Sequence, residues 1–233
     1  ELPFAGHPTL GVGYVLGAIG EIPLNEGETW VNFEEGVGIV PVKIRATQGK
    51  PDYTELQSAQ KPEFSSKNPK ITDLAAILSL SPSALKEGDD APQGVSCGLP
   101  FLFIQVQNRE ILAKIKLNKA LWSDLLANTW ASSLYVFTND PELEGSDLRA
   151  RMFAPGLGVD EDPATGSAAT ALAGYLGSRH PQQEGTLQWI VEQGFEMGRP
   201  SLLEVTAERK QGEITEIRVG GSSVLVSEGI FYL

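Results

Sequence analysis

Two short motifs carry the residues whose types and spacing could do chemistry, and each places a proton-transferring side chain directly before a proline. In residues 6–11 (GHPTLG) that side chain is His7, and in residues 160–169 (DEDPATGSAA) it is Asp162. Proline fits the first turn of a helix, and the residue before it is pushed towards the extended backbone of a helix cap. We therefore predict that His7 and Asp162 cap two helices, of which the first runs over residues 9–19.

Both predicted helix starts could hold an anion. The first turn of a helix offers N–H groups without intrahelical partners and a partial positive charge. Gly166 and Ser167 have little side-chain bulk, so they would leave these groups open to a ligand carboxylate or phosphate. We expect the two helix starts to face each other across one cleft.

Each motif also has a purely structural interpretation, and the residues alone leave both open. Asp162 could be only a helix cap, because acidic residues are favoured at helix starts. His7 could be a cap or loop residue, or a proton shuttle near neutral pH. The only other histidine, His180, is expected at the surface after a helix end.

Several other kinds of site are disfavoured. A P-loop lacks its lysine, and no Gly-x-Ser-x-Gly elbow is present. We expect no metal site, because two distant histidines and one cysteine give no ligand spacing. For Cys97 a buried structural thiol is favoured over a nucleophile. Arg199 could contact a ligand anion or the partner lobe, or lie in an exposed turn.

The composition is that of an ordinary globular protein, with 233 residues, 41% hydrophobic and a net charge of -12. Its 18 basic residues form no dense run, which argues against binding nucleic acid or anionic lipid. No segment looks like a membrane helix or a signal peptide. The single cysteine excludes an internal disulfide and favours a cytoplasmic location.

The pattern of elements predicts a mixed α/β (α+β) fold. Strands are expected at residues 28–34, 38–47 and 101–107, with a late run that ends in a strand at 224–231. The two motif helices are rich in small residues and apolar on all sides, so each must be enclosed. We predict two similar lobes, residues 1–94 and 95–233, each a sheet wrapped round a helix, with a C-terminal strand returning to the first lobe.

Five segments together resemble the PhzF family of phenazine-biosynthesis-like isomerases: residues 1–11 (ELPFAGHPTLG), 95–100 (VSCGLP), 151–155 (RMFAP), 161–169 (EDPATGSAA) and 196–201 (EMGRPS). The resemblance covers the whole chain. It implies a diaminopimelate-epimerase-like fold of two pseudo-symmetric lobes with the active site between them. It also implies a homodimer, no cofactor and a small-molecule substrate.

By position, the resemblance implies that His7 and Asp162 are the active-site pair and that Gly6 and Ser167 contact the substrate. The related epimerases use two cysteines, so one cysteine excludes a two-thiol racemase. The family's proton-abstracting glutamate lies upstream of the Gly-His-Pro motif, in a segment that the printed sequence does not contain. We therefore expect residues 1–233 to lack that base and some strands of the first lobe, and to be inactive as a fragment.

Three functions remain open at the level of sequence. The favoured one is a cofactor-independent isomerase that moves a proton on a small carboxylated metabolite, cyclic ones included, with the carboxylate held near Gly166 and Ser167. A non-catalytic relative would bind a small anion or a protein partner instead. An epimerase or racemase with non-cysteine bases would share the fold.

Overall fold

One mixed sheet and a few short helices make up the fold, which a computed structural model describes for residues 4–230. Residues 1–3 and 231–233 lie outside the described residues, and with them the start of the motif at 1–11 and the end of the predicted strand 224–231. Within residues 4–230 the chain forms five α-helices: α1 (His7–Ala18), α2 (Ile71–Leu78), α3 (Arg109–Lys114), α4 (Lys119–Leu125) and α5 (Gly166–Arg179).

The same residues form twelve strands: β1 (Gly27–Glu35), β2 (Gly38–Thr47), β3 (Lys50–Gln57), β4 (Glu63–Phe64), β5 (Gln93–Ser96), β6 (Pro100–Gln105), β7 (Ser133–Thr138), β8 (Leu148–Ala154), β9 (Val159–Asp162), β10 (Gly185–Gln193), β11 (Ser201–Lys210) and β12 (Glu213–Gly221). They join in the order β1-β2-β3-β12-β11-β10-β8-β7-β6-β5-β4, and β9 pairs with β8. The β6–β7 and β8–β10 pairs are parallel and the other pairs are antiparallel. The mixed α+β class predicted from the sequence is confirmed.

The pairing of β3 with β12 places a late strand beside the first three strands of the chain. The return of a C-terminal strand to the first lobe and the boundary between lobes at residue 94 both stay predictions.

Helix α5 is enclosed by the sheet, as predicted. Eleven of its fourteen residues are buried, and it contacts β5, β6, β10, β11 and β12. Gly174 lets the segment just before β4 come close, because a Cβ at this position would lie 2.7 Å from Pro62 Cβ. The small, apolar composition of α5 thus reflects contact on every side.

Helix α1 is covered on one side only, so the prediction that it is enclosed is wrong for the described residues. Strands β2 and β3 pack against one side of α1, and the buried residues of the helix are Thr9, Leu10, Gly13 and Gly17. On the opposite side, the exposed fractions are 47% for Val12, 36% for Val15 and 60% for Ile19. No described strand lies over that side of α1, which is why its apolar side chains remain exposed.

A second apolar layer lies on the other face of the sheet. Side chains alternate along β6 and β7, so that one set packs towards α5 and the other towards α2, α3 and α4. Leu102 and Ile104 face the three short helices, whereas Phe101 and Phe103 face α5. These strands are buried on both faces, which explains their continuous apolar sequence.

The predicted strand at 224–231 is wrong over its described part, since residues 222–230 form no regular element and their apolar side chains are exposed. Strand β12 already pairs with β3 on one side and β11 on the other. The described sheet ends at β1 and β4, so a strand directly after β12 finds no free edge beside it. An alternating apolar sequence cannot supply that missing partner.

Candidate active site

A cavity of about 200 Å³ lies between the first turns of α1 and α5. Every site residue singled out from the sequence lines it: Gly6, His7, Asp162, Gly166 and Ser167. The rest of the wall is mostly apolar and is formed by Phe4, Leu99, Phe101, Met152, Ala154, Leu157 and Val159. The two motifs therefore meet in one cleft, and the cleft has an apolar wall on which a small organic molecule could pack.

A larger groove of about 590 Å³ lies elsewhere, beside β4 and α4. It is lined by residues 63–70 and 129–131 among others and contains none of the motif residues. Size alone would favour this groove. The smaller cavity is the better candidate, because it alone of the two is lined by residues of both motifs, with His7 and Asp162 among them.

The two helix starts touch through their backbones at Gly6 and Gly166. A Cβ on Gly6 would collide with Gly166 Cα and would lie 2.5 Å from the amide nitrogen of Ser167. A Cβ on Gly166 would lie 2.8 Å from Gly6 Cα. Glycine is thus required on both sides of the contact, since any side chain would push the two helices apart.

Asp162 is not a helix cap, so that part of the sequence interpretation is wrong. It ends β9, and α5 begins four residues later, after the N-cap residue Thr165. The Thr165 hydroxyl donates to Asp162 Oδ2 at 2.6 Å instead of accepting from the first turn of the helix. His7 is likewise the first residue of α1, with Gly6 as the N-cap. Both side chains therefore belong to the cavity and do not close a helix end.

The loop from Asp162 to Thr165 is held by one buried amide, that of Gln193 at the end of β10. Its Nε2 donates to the Asp162 carbonyl at 2.8 Å and to Thr165 Oγ1 at 2.9 Å. Its Oε1 accepts from the Thr165 N–H at 3.2 Å and from the Tyr135 hydroxyl at 3.1 Å. These four bonds satisfy the whole amide, and they explain why residues 162–165 leave the helical path.

The direction of these bonds determines which atom of Asp162 accepts the Thr165 hydroxyl proton. Because Gln193 Nε2 donates into Thr165 Oγ1, the single hydroxyl proton of Thr165 is directed to Asp162 Oδ2. Oδ2 of Asp162 therefore accepts one hydrogen bond from within the loop. Burial, followed by the charge of Asp162, raises the pKa of the Tyr135 phenol, so that Tyr135 stays a neutral donor to Gln193.

Strand β9, which carries Asp162, is fixed by a buried ion pair. The Arg151 guanidinium donates from Nε and Nη2 to the two carboxylate oxygens of Glu161, each at 2.8 Å. Its Nη1 donates to the carbonyls of Leu112 and Ile115 at the end of α3. A bidentate pair of this kind fixes orientation as well as distance. The residue next to Asp162 is therefore tied to both β8 and α3.

The positive potential in the cavity comes from the first turn of a helix and not from lysine or arginine side chains. Among the described lining residues none is a lysine or an arginine. Gly166 and Ser167 form the first turn of α5, whose N–H groups carry the positive end of the helix dipole. This end of the cavity is suited to a ligand carboxylate, with Asp162 and His7 on the adjacent walls.

The cavity is not lined by the other candidate residues, Cys97, Arg199 and His180. Cys97 is buried, and its Sγ donates to the Thr170 carbonyl at 3.8 Å, so the structural interpretation is confirmed. Arg199 is exposed in the turn after β10 and is not among the residues that line the cavity. His180 follows the end of α5 as expected. Within residues 4–230 no three His, Cys, Asp or Glu side chains group as metal ligands.

Comparison with known proteins points to the same family as the motifs. The family model described as phenazine biosynthesis-like protein (PhzC-PhzF) matches residues 1–229. The chain belongs to the PhzF family. An uncharacterised isomerase of Mesorhizobium japonicum is 33% identical over 100% of this chain and 77% of its own length. The trans-2,3-dihydro-3-hydroxyanthranilate isomerase of Pseudomonas aeruginosa is 32% identical over 100% of this chain and 76% of its own length.

The fold agrees as well. The crystal structure of a Bacillus anthracis phenazine biosynthesis protein of the PhzF family superposes with a TM-score of 0.82 at 21% identity, covering 95% of this chain and 74% of that one. The described helices include none long and apolar enough to cross a membrane. The named relatives are isomerases, so isomerisation is the activity associated with this family.

Proposed function

We propose that this protein is a cofactor-independent isomerase that moves a proton on a small carboxylated metabolite. The observation that carries this proposal is the backbone contact of Gly6 with Gly166, which brings His7 and Asp162 to one cavity with an apolar wall. Two proton-transferring groups across a small cavity suit a reaction in which a proton leaves one atom of the substrate and returns to another.

The substrate carboxylate would bind at the first turn of α5. Its oxygens would accept from the N–H groups of Gly166 and Ser167 and from the Ser167 hydroxyl, with Gly6 close by. The hydrocarbon body would pack on Phe101 and Met152, which exclude water from the reacting atoms. A cavity of about 200 Å³ restricts this body to roughly the size of one ring.

The proton transfer would use His7 and Asp162 together with the glutamate that the family resemblance implies upstream. The base removes a proton from a carbon next to an unsaturated bond, the double bond shifts, and a proton is delivered to the far carbon. Asp162 Oδ1 is suited to hold or relay that proton, since Oδ2 accepts from Thr165. No electrons are gained or lost overall, so the reaction is balanced without a redox partner.

The decisive experiment replaces Asp162 in the full-length gene product. We expect Asp162→Asn to lower kcat by roughly 10²-fold or more, because the amide cannot take part in proton transfer. Asp160→Asn is the matched control, since Asp160 is 77% exposed and bonds only the surface residue Lys119. Turnover of small cyclic acids, including trans-2,3-dihydro-3-hydroxyanthranilate, would be followed by NMR. Unchanged turnover in the Asp162 variant would exclude this assignment.

The same assay in D₂O separates isomerase from epimerase chemistry. Deuterium at a new carbon with a shifted double bond indicates isomerisation, whereas exchange at a stereocentre with inversion indicates an epimerase or racemase. Turnover of none of the acids, with binding of some of them, would favour the non-catalytic alternative. Binding is detectable as a rise in the melting temperature.

We further propose that the protein acts in the cytoplasm as a homodimer. The family resemblance supports the dimer. The single, buried Cys97 supports the cytoplasmic location. Light scattering of the full-length protein across a range of concentrations tests the dimer, and a monomer throughout that range would contradict it.

A further inference from the structure

Glu35, at the end of β1, accepts hydrogen bonds from the residues on either side of His7. Its Oε2 accepts from the Ala5 N–H at 3.1 Å, and its Oε1 accepts from the Thr9 hydroxyl. The Thr9 hydroxyl also reaches the Ala5 carbonyl at 2.5 Å. Ala5 and Thr9 flank Gly6 and His7, so a single carboxylate fixes the chain on both sides of them.

The same arrangement occurs in the second motif. Gln193 is the last residue of β10, as Glu35 is the last residue of β1, and a glycine follows each of them. Gln193 binds both the N–H and the hydroxyl of Thr165, next to the start of α5. A long polar side chain at a strand end therefore reaches a threonine at a helix start in both motifs.

We infer that Glu35 is a positioning residue for His7, as Gln193 is for Asp162. This inference rests on the proposed function for its catalytic meaning, although its geometric part stands independently. Glu35 does not line the cavity and acts only through residues 5–9, which include the start of α1. This segment must keep Gly6 against Gly166, so a shift of its backbone displaces the His7 imidazole across the cavity.

Two substitutions of Glu35 separate the length of its side chain from its negative charge. In Glu35→Gln the amide oxygen can accept from the Ala5 N–H, and the amide nitrogen can donate to Thr9 Oγ1, whose proton then turns to the Ala5 carbonyl. Gln193 already makes both kinds of bond, with its amide oxygen on the Thr165 N–H and its amide nitrogen on the Thr165 hydroxyl. Glu35→Asp keeps the charge but is one methylene shorter, so it cannot reach both partners. Glu34→Asp is the matched control, because Glu34 is exposed and precedes Glu35 on the same strand.

The test is an NMR measurement of the imidazole signals in the full-length protein without substrate, assigned with a His180→Gln variant. We expect Glu35→Gln and Glu34→Asp to overlay the parent protein, and Glu35→Asp to displace or split the His7 signals while any His180 signals stay in place. In turnover, kcat of Glu35→Asp should fall by roughly 10²-fold, as for a displaced catalytic group, while Glu35→Gln retains activity.

Two results would overturn the inference. Unmoved His7 signals in Glu35→Asp would show that the contact does not position the loop. Displaced signals in Glu35→Gln would show that the negative charge, and not the reach, is what matters. Both results are read from the free protein, so they remain decisive if the Asp162 experiment excludes isomerase chemistry.

Discussion

Gly6 and Gly166 lie backbone to backbone, and this contact joins the start of α1 to the start of α5. Neither residue could carry a side chain without moving one helix away from the other. The two glycines therefore set how closely the segments that carry His7 and Asp162 approach each other.

Gly6→Ala should destabilise the protein, because its methyl group meets backbone atoms that cannot rotate away. Overpacking of this kind costs roughly 1–3 kcal/mol of unfolding free energy. Gly11→Ala, in the same helix, should be neutral or stabilising by up to about 1 kcal/mol, since a Cβ there meets nothing within 4 Å. Urea unfolding of the two variants checks the difference in sign. Equal stability of both would contradict the contact.

Gln193→Leu should lower stability and disorder the Asp162 loop. Leucine is close to glutamine in size but makes none of the four hydrogen bonds, which leaves buried polar groups of Asp162, Thr165 and Tyr135 unsatisfied. Each such group costs about 1–3 kcal/mol. Gln188→Leu is the control, as Gln188 is exposed on the same strand. Thermal unfolding and amide exchange of Thr165 would show the effect, and an unchanged exchange rate at Thr165 would contradict it.

Two ion pairs on β9 should differ sharply in what they contribute. Glu161→Ala leaves the Arg151 guanidinium buried without its carboxylate, which should lower the unfolding free energy by about 3 kcal/mol. Asp160→Ala removes an exposed pair with Lys119 and should change it by less than about 0.5 kcal/mol. Parallel urea titrations provide the measurement. Similar losses in both variants would mean that the Arg151 pair does not anchor β9.

Cys97 should make stability fall at alkaline pH. Burial raises the pKa of its thiol to about 12, with partial compensation from the Ser58 hydroxyl, whereas an unfolded thiol titrates near about 8.5. Between these values the folded state holds one proton more, so the unfolding free energy falls as pH rises, by at most about 1.4 kcal/mol per unit. Cys97→Ala should show a shallower decline between pH 8.5 and 10.5 in chemical denaturation. Identical slopes would place the thiol in contact with solvent.

Much of the candidate site could be predicted from the sequence, because its parts are local. His7 and Asp162 each stand before a proline at the start of an apolar run, and small residues follow. The local sequence was also enough to predict that α5 is enclosed, because its small and apolar residues leave no face suited to water. The meeting of the two motifs was expected and is observed in the lining of the cavity.

The side chains that hold these motifs could not be found in the same way. Gln193 and Glu35 are polar residues at strand ends, and nothing in their own segments distinguishes them from exposed ones. Their roles follow from the register of β10 and β1, which brings each strand end to a helix start distant in sequence. The capping error has the same origin, since Gln193 redirects residues 162–165 by bonds across 28 and 31 residues.

The pairing of β3 with β12 also has a consequence for how the protein is made. Residues 54–57 cannot find their partners at 218–221 until nearly the whole described chain has left the ribosome. Contacts of such long sequence separation form late and slowly in folding. We expect the nascent chain to carry a finished helix α5 that lacks its contacts with β12 until synthesis has passed Gly221. Chaperone binding during that interval would be an ordinary part of its biogenesis.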